Sequence, residues 1–104
     1  MEIYQKLQEI RKKPGMYLGR NSLELLKTYM DGYVAGYQEI KNDFNLSFFV
    51  EFQKYIQDYY NVLSSHNWAN IIRFYSVDDR DALELFYFHL DEFAKQGEIA
   101  KENR

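Results

Sequence analysis

Apolar side chains recur along this chain three and four residues apart, the spacing of a helix face, almost from end to end. Ile3, Leu7 and Ile10 open the pattern and predict a first helix that stops before Pro14. Proline fixes φ, lacks an N–H and disfavours helix in the residue before it, while Gly15 can take positive φ at no steric cost. The stretch IRKKPGMYLG therefore reads as a helix exit and a rigid turn built on Pro14, Gly15, Tyr17 and Gly19, with Met16, Tyr17 and Leu18 returning the chain to the core. Ser22 is an N-cap for a second helix with Leu23, Leu26, Met30, Tyr33 and Tyr37 on one stripe. Gly32 and Gly36, one turn apart on that helix, predict close approach of another helix.

A third helix beginning near Asn45 or Ser47 places Phe48, Phe52, Tyr55 and Tyr59 on one face, widened by Phe49, Ile56 and Tyr60. The apolar run at 46–50 keeps a short strand as the alternative there. Asn61 to Asn67 is a polar linker, after which Trp68, Ile71 and Ile72 predict a helix of about three turns, with Trp68 a core anchor. Ser76, with Asp79 three residues on, has the form of a capping box for a last helix from Val77 to Gln96. Leu83, Phe86, Leu90 and Phe93 are its core face and Ala82, Leu85 and His89 its flanks; Gly97 ends it, and Glu98 to Arg104 is a frayed tail. With no alternating strand and no Asn-Gly hairpin, the expectation is an all-α compact bundle of about five helices in a single domain spanning 1–104.

Composition strengthens that picture. The 104 residues are 46% hydrophobic and 18% aromatic, with ten tyrosines and eight phenylalanines, a content that a disordered chain lacks. The absence of cysteine excludes a disulfide framework and a thiolate zinc site, and charges interrupt every early apolar run, so a cytoplasmic location is expected. No run approaches the roughly 20 apolar residues of a membrane span.

The residues for common chemistries do not assemble in the sequence. A serine nucleophile needs a histidine partner, but His66 sits in the polar linker and His89 on the aromatic last helix, where it reads as a flank covering apolar surface. His89 with Glu92 falls short of a metal set, and Asp78, Asp79 and Asp81 stand where helix starts commonly carry acids. Neither catalysis, nor a metal, nor a cofactor is expected.

Charge is more suggestive. Lys6, Arg11, Lys12, Lys13 and Arg20 gather near the start, whereas Asp78, Asp79, Asp81, Glu84, Asp91 and Glu92 face Arg80 alone near the end, within a net charge of -3. Such an acidic cluster repels nucleic acid and attracts a basic protein surface, for example the substrate groove of a nuclease.

Two resemblances bear on function. The decapeptide at 10–19 resembles the RKRPGMYIG motif of type II topoisomerase B subunits, but the catalytic glutamate, the magnesium-holding asparagine and the glycine-rich DxGxG loop of that ATPase have no counterpart here. Across most of its length the chain resembles small bacterial immunity proteins encoded beside polymorphic or contact-dependent growth-inhibition toxins. Their RKxPGMYLG turn and SLxxLxxFxxGY helix are matched by Ser22, Leu23, Leu26, Tyr29, Gly32 and Tyr33, with Tyr29 in place of the phenylalanine. Trp68, Ile71, Ile72, Ser76, Ala82, Leu85, Phe86 and Phe93 are similar to their C-terminal half. The resemblance implies a cytoplasmic protein that binds a co-encoded toxin, expected to be a basic nuclease, and occludes its active site. Asp78, Asp79, Asp81, Glu84, Tyr59 and Tyr60 are the candidate contacts. The alternatives are a nucleic-acid- or nucleotide-binding module using the turn from Arg11 to Arg20, or a homo-oligomeric adaptor.

Overall fold

The computed structural model describes the backbone of residues 2–40 and 47–102, and side chains within 2–37 and 48–97. These residues are all-α: α1 Glu2–Lys12, α2 Pro14–Leu18, α3 Leu23–Ile40, α4 Ser47–Tyr60, α5 Trp68–Phe74 and α6 Asp79–Glu102. The segment at 47–60 is a helix, not a strand; Asn45, the earlier of its two expected starts, lies outside the described residues.

There are six described helices rather than about five because the expected turn coils on itself. Pro14 occupies the first helical position, where its missing N–H is no loss, and the N–H groups of Met16 and Tyr17 donate to the Lys13 carbonyl at 3.1 and 3.3 Å. Gly19 ends this short helix in the left-handed region at φ 88°, and its N–H donates to the Gly15 carbonyl at 2.9 Å. The positive φ thus falls on Gly19 and not on Gly15. Met16 faces outward, and only Tyr17 and Leu18 lean on the core.

Further sequence expectations shift at α3, α5 and α6. Among the described residues a side chain added at Gly32 or Gly36 would meet nothing within 4 Å, so no described helix approaches the two glycines. Helix α5 has seven residues, about two turns rather than three, and is capped by Asn67, whose side chain accepts the Asn70 N–H at 2.8 Å. The cap of α6 is Asp78 in place of Ser76: Asp78 Oδ1 accepts the Asp81 N–H at 2.8 Å and Asp81 Oδ2 accepts the Val77 N–H at 2.8 Å, a relative of the capping box in which the return bond falls on the residue before the cap. Ser76 instead donates to the Arg73 carbonyl at 2.8 Å. Helix α6 also runs through Gly97 to Glu102. Asn103 and Arg104, the end of the expected frayed tail, lie outside the described residues.

The core gathers on Phe52. Its ring meets Trp68, Phe86 and Phe93 edge to face at centroid distances of 5.5, 5.6 and 5.4 Å, and Phe49 stacks on Trp68 at 5.4 Å. Edge-on geometry matches ring rims to ring faces, adding to the gain from burying large apolar surfaces. Trp68 is therefore a core anchor, in line with its expected role. Ile3, Leu7 and Ile10 join this core from α1, and the buried Tyr87 hydroxyl donates to the Leu7 carbonyl at 2.7 Å, fixing α1 on α6. Burial pushes the Tyr87 hydroxyl well above the ordinary phenol range, so it stays a donor.

Candidate functional site

Helix α4 closes with Asn61 in the left-handed region at φ 54°, and the Val62 N–H reaches back to the Gln57 carbonyl at 2.9 Å, the long bond of a Schellman ending. This ending leaves Tyr59 and Tyr60 beside the end of α5. Tyr60 stacks on Tyr75 at 4.4 Å and 11°, Tyr59 meets Tyr60 at 4.8 Å, and Phe74 meets Tyr75 at 5.0 Å. Helix α6 adds Phe88. The rings of Tyr59, Tyr60 and Phe88 all rest on His89, at 4.5, 5.3 and 5.3 Å.

Much of this cluster faces outward. Phe74 is 79% exposed, Tyr59 55%, Phe88 49%, and the neighbouring Val77 and Leu63 are almost wholly so. Beside it Val62, Ile71, Phe74 and Tyr75 line a cavity of about 290 Å³ edged by Ser64, His66 and Asn70. Joined apolar side chains at a surface are the mark of a docking face more than of a reaction centre. Only Tyr59 and Tyr60 of this face were singled out in sequence. Phe88 lies off the stripe of Leu83, Phe86, Leu90 and Phe93, and Phe74, Tyr75 and Val77 follow the last buried residue of α5, so the available signal was an apolar residue where the helix period does not require one.

His89 is a correction. It is fully buried rather than flanking, and shares a hydrogen bond of 2.6 Å between Nε2 and the Tyr60 hydroxyl. Desolvation pushes the Tyr60 hydroxyl up to about 12, so the phenol keeps its proton within this bond. The same burial lowers the His89 pKa and holds the ring neutral. The other ring nitrogen, Nδ1, is buried and has no partner among the described residues. His66, in contrast, is an exposed loop residue whose Nδ1 meets the Ser64 hydroxyl at 2.8 Å.

The six acids do not act as one patch. Asp79 crosses to α3, where Oδ1 accepts the Glu24 N–H at 3.1 Å and Oδ2 accepts the Ser22 hydroxyl. Ser22 in turn caps α3 through the Leu25 N–H at 3.1 Å, so a carboxylate from α6 completes the positive end of that helix. Asp78 and Asp81 are engaged in the cap of α6, and Asp91 forms a two-pronged pair with Arg11 at 2.8 and 2.9 Å. That pair lowers the Asp91 pKa and raises that of Arg11. Exposed Glu84 makes no hydrogen bond or ion pair among the described residues, and Glu92 meets only Lys95, at 3.3 Å.

Arg11 is thereby removed from the basic run, and its guanidinium lies 4.9 Å over the Tyr87 ring. Tyr17 turns from the candidate turn to meet Tyr29 edge to face at 6.1 Å. Among the described residues no cluster of three or more histidines, aspartates or glutamates could hold a metal ion, and no helix is long and apolar enough to cross a membrane. No family model, curated protein or solved structure matches this chain.

Proposed function

We propose that this chain is a non-catalytic immunity protein that binds a toxin encoded beside it and blocks the toxin's active site. The single observation that carries the reading is the outward-facing aromatic surface where α4, α5 and α6 meet, built from Tyr59, Phe74, Tyr75 and Phe88 on the half-buried Tyr60 and the buried His89. Aromatic side chains give large contact area at small conformational cost and dominate the energetics of protein interfaces. Glu84 and Glu92, on the same helix as Phe88, favour a cationic partner such as a nuclease groove. Asp78, Asp79 and Asp81 serve chiefly to cap and clasp helices, which moves the weight of the expected interface from the start of α6 toward its middle. The engagement of Arg11 by Asp91 also weakens the nucleic-acid alternative, because it leaves Lys12, Lys13 and Arg20 as a small phosphate footprint on a chain of net charge -3.

Co-expression with each toxin domain encoded next to the gene tests the reading. Rescue of growth, with a stable complex of the two purified proteins on light scattering, is the expected result. Failure to rescue from every such toxin, or concentration-dependent self-association that hides the aromatic surface, would overturn it.

A further inference from the structure

The fold repeats one local arrangement: a cation over a ring, with a carboxylate beside the cation. Lys6 lies 5.4 Å from the Tyr17 ring and 5.6 Å from that of Tyr33, and pairs with Glu9 at 2.8 Å. Arg11 lies 4.9 Å over Tyr87 and pairs with Asp91. Lys27 lies 5.9 Å over Trp68 and pairs with Asp31 at 2.7 Å. The reason is electrostatic: ring faces are negative, and a carboxylate that shares the cation holds it over the ring.

One place has the ring and carboxylate components with no cation over the rings. Tyr59 and Phe88 expose about half their surface and both contact the ring of the buried His89, with Tyr55 next to Tyr59 at 6.4 Å. The Glu92 carboxylate lies close enough to act on both Tyr55 and His89, and Glu84 stands one turn before Phe88. Among the described residues no lysine or arginine lies over Tyr59 or Phe88. Lys95 contacts Glu92 at 3.3 Å with both side chains well exposed, a pairing of little strength that an incoming cation can displace.

The geometry points to Tyr59, Phe88 and Glu92 as a recognition site for an arginine or lysine side chain of the protein partner, completed in the complex as the internal triads are completed within the chain. This rests on the reading of the chain as an immunity protein only in naming the toxin as the partner; the chemistry of the site stands by itself.

Nuclear magnetic resonance of the full chain titrated with a tetra-arginine peptide tests the site directly. Shifts centred on Tyr55, Tyr59, Phe88 and Glu92 are expected. They should vanish in Tyr59→Ala and Phe88→Ala variants of unchanged circular dichroism, persist in Tyr59→Phe, and weaken severalfold in Glu92→Gln. Shifts centred on Asp78 and Asp81, or none specific to a site, would overturn the proposal. Where a neighbouring toxin is neutralised, the Tyr59→Ala, Phe88→Ala double variant should bind it on the order of tenfold more weakly. Rescue by a parent chain whose peptide shifts map elsewhere sinks this site and leaves the immunity reading intact. Peptide shifts at the rings without rescue from any neighbouring toxin keep the site and sink that reading.

Discussion

Two sides of the molecule treat their functional groups in opposite ways. Where α1 and the start of α3 meet α6, charged and polar groups are turned onto each other: Arg11 forks Asp91, Asp79 takes the Ser22 hydroxyl and the Glu24 N–H, and Tyr87 reaches the Leu7 carbonyl. Where α4 and α5 meet α6, the polar Tyr60–His89 bond is hidden and the rings of Tyr59, Phe74, Tyr75 and Phe88 look outward. The first side is closed by its own chemistry, and the second presents surface that the chain alone leaves uncovered. An acidic sequence is therefore a poor guide to an acidic interface, because a carboxylate is as readily used for holding helices together as for meeting a partner.

The largest test removes the floor under both sides. Phe52→Ala should cost about 3 to 5 kcal/mol, read as a lower urea midpoint, and should weaken every surface property together, since its ring joins α4, α5 and α6. A loss below about 1 kcal/mol would mean that the two sides do not share one core. Asp79→Ala acts on the closed side alone. It strands the buried Ser22 hydroxyl and an N–H of α3, and about 1 to 3 kcal/mol should be lost, with the ring resonances of Tyr59 and Phe88 left in place.

On the open side, Tyr60→Phe leaves both ring nitrogens of His89 without a partner and should cost about 1 to 2 kcal/mol. Here pH separates burial from the hydrogen bond. Burial lowers the folded-state pKa of His89, so below the ordinary histidine value of about 6.5 the unfolded chain binds the proton first. Stability contributed by the neutral ring should be complete above that pH and fall as the solution is acidified toward 5, above the range in which Glu9 and Asp91, with their lowered values, take up protons. A His89→Leu variant should flatten the urea midpoint over that interval; an unaltered slope would show that His89 is not the group responsible. The smallest effect belongs to the glycine face of α3. Gly32→Ala and Gly36→Ala should each stabilise by about 0.5 to 1 kcal/mol, because the added methyl meets no described residue within 4 Å and helix propensity rises. Destabilisation at either would restore the close helix approach that the spacing of the two glycines suggests.

The sequence made the architecture legible wherever a rule acts within one or two turns. The stripe Ile3, Leu7, Ile10 ends at a proline, Ser22 caps the next helix, and Phe48, Phe52 and Ile56 keep period on α4. It failed at Pro14–Leu18, where five residues are too few for a period to declare itself and the decisive bonds run to Lys13 and Gly15 carbonyls. It failed again where the partner is distant. Ser22 and Asp79 are 57 residues apart, and His89 owes its place inside to Tyr60, 29 residues away, so neither role is written in the neighbourhood of the residue that plays it. The candidate surface was half legible: Tyr59 and Tyr60 stood out as aromatics at the edge of a stripe, while Phe74, Tyr75 and Phe88 showed only as apolar residues out of period, a signal that names no surface until the helices are laid together.

Trp68, the sole indole of the chain, is walled in by Phe49, Phe52 and Phe86. Its emission should be blue-shifted in the native state and move red only when the interior opens, while a molecule landing on Tyr59 or Phe88 leaves its surroundings untouched. Intrinsic fluorescence excited at the red edge will thus follow unfolding faithfully and stay silent on association with a probe that carries no tryptophan, such as an arginine peptide, which makes the chain its own internal control in that titration.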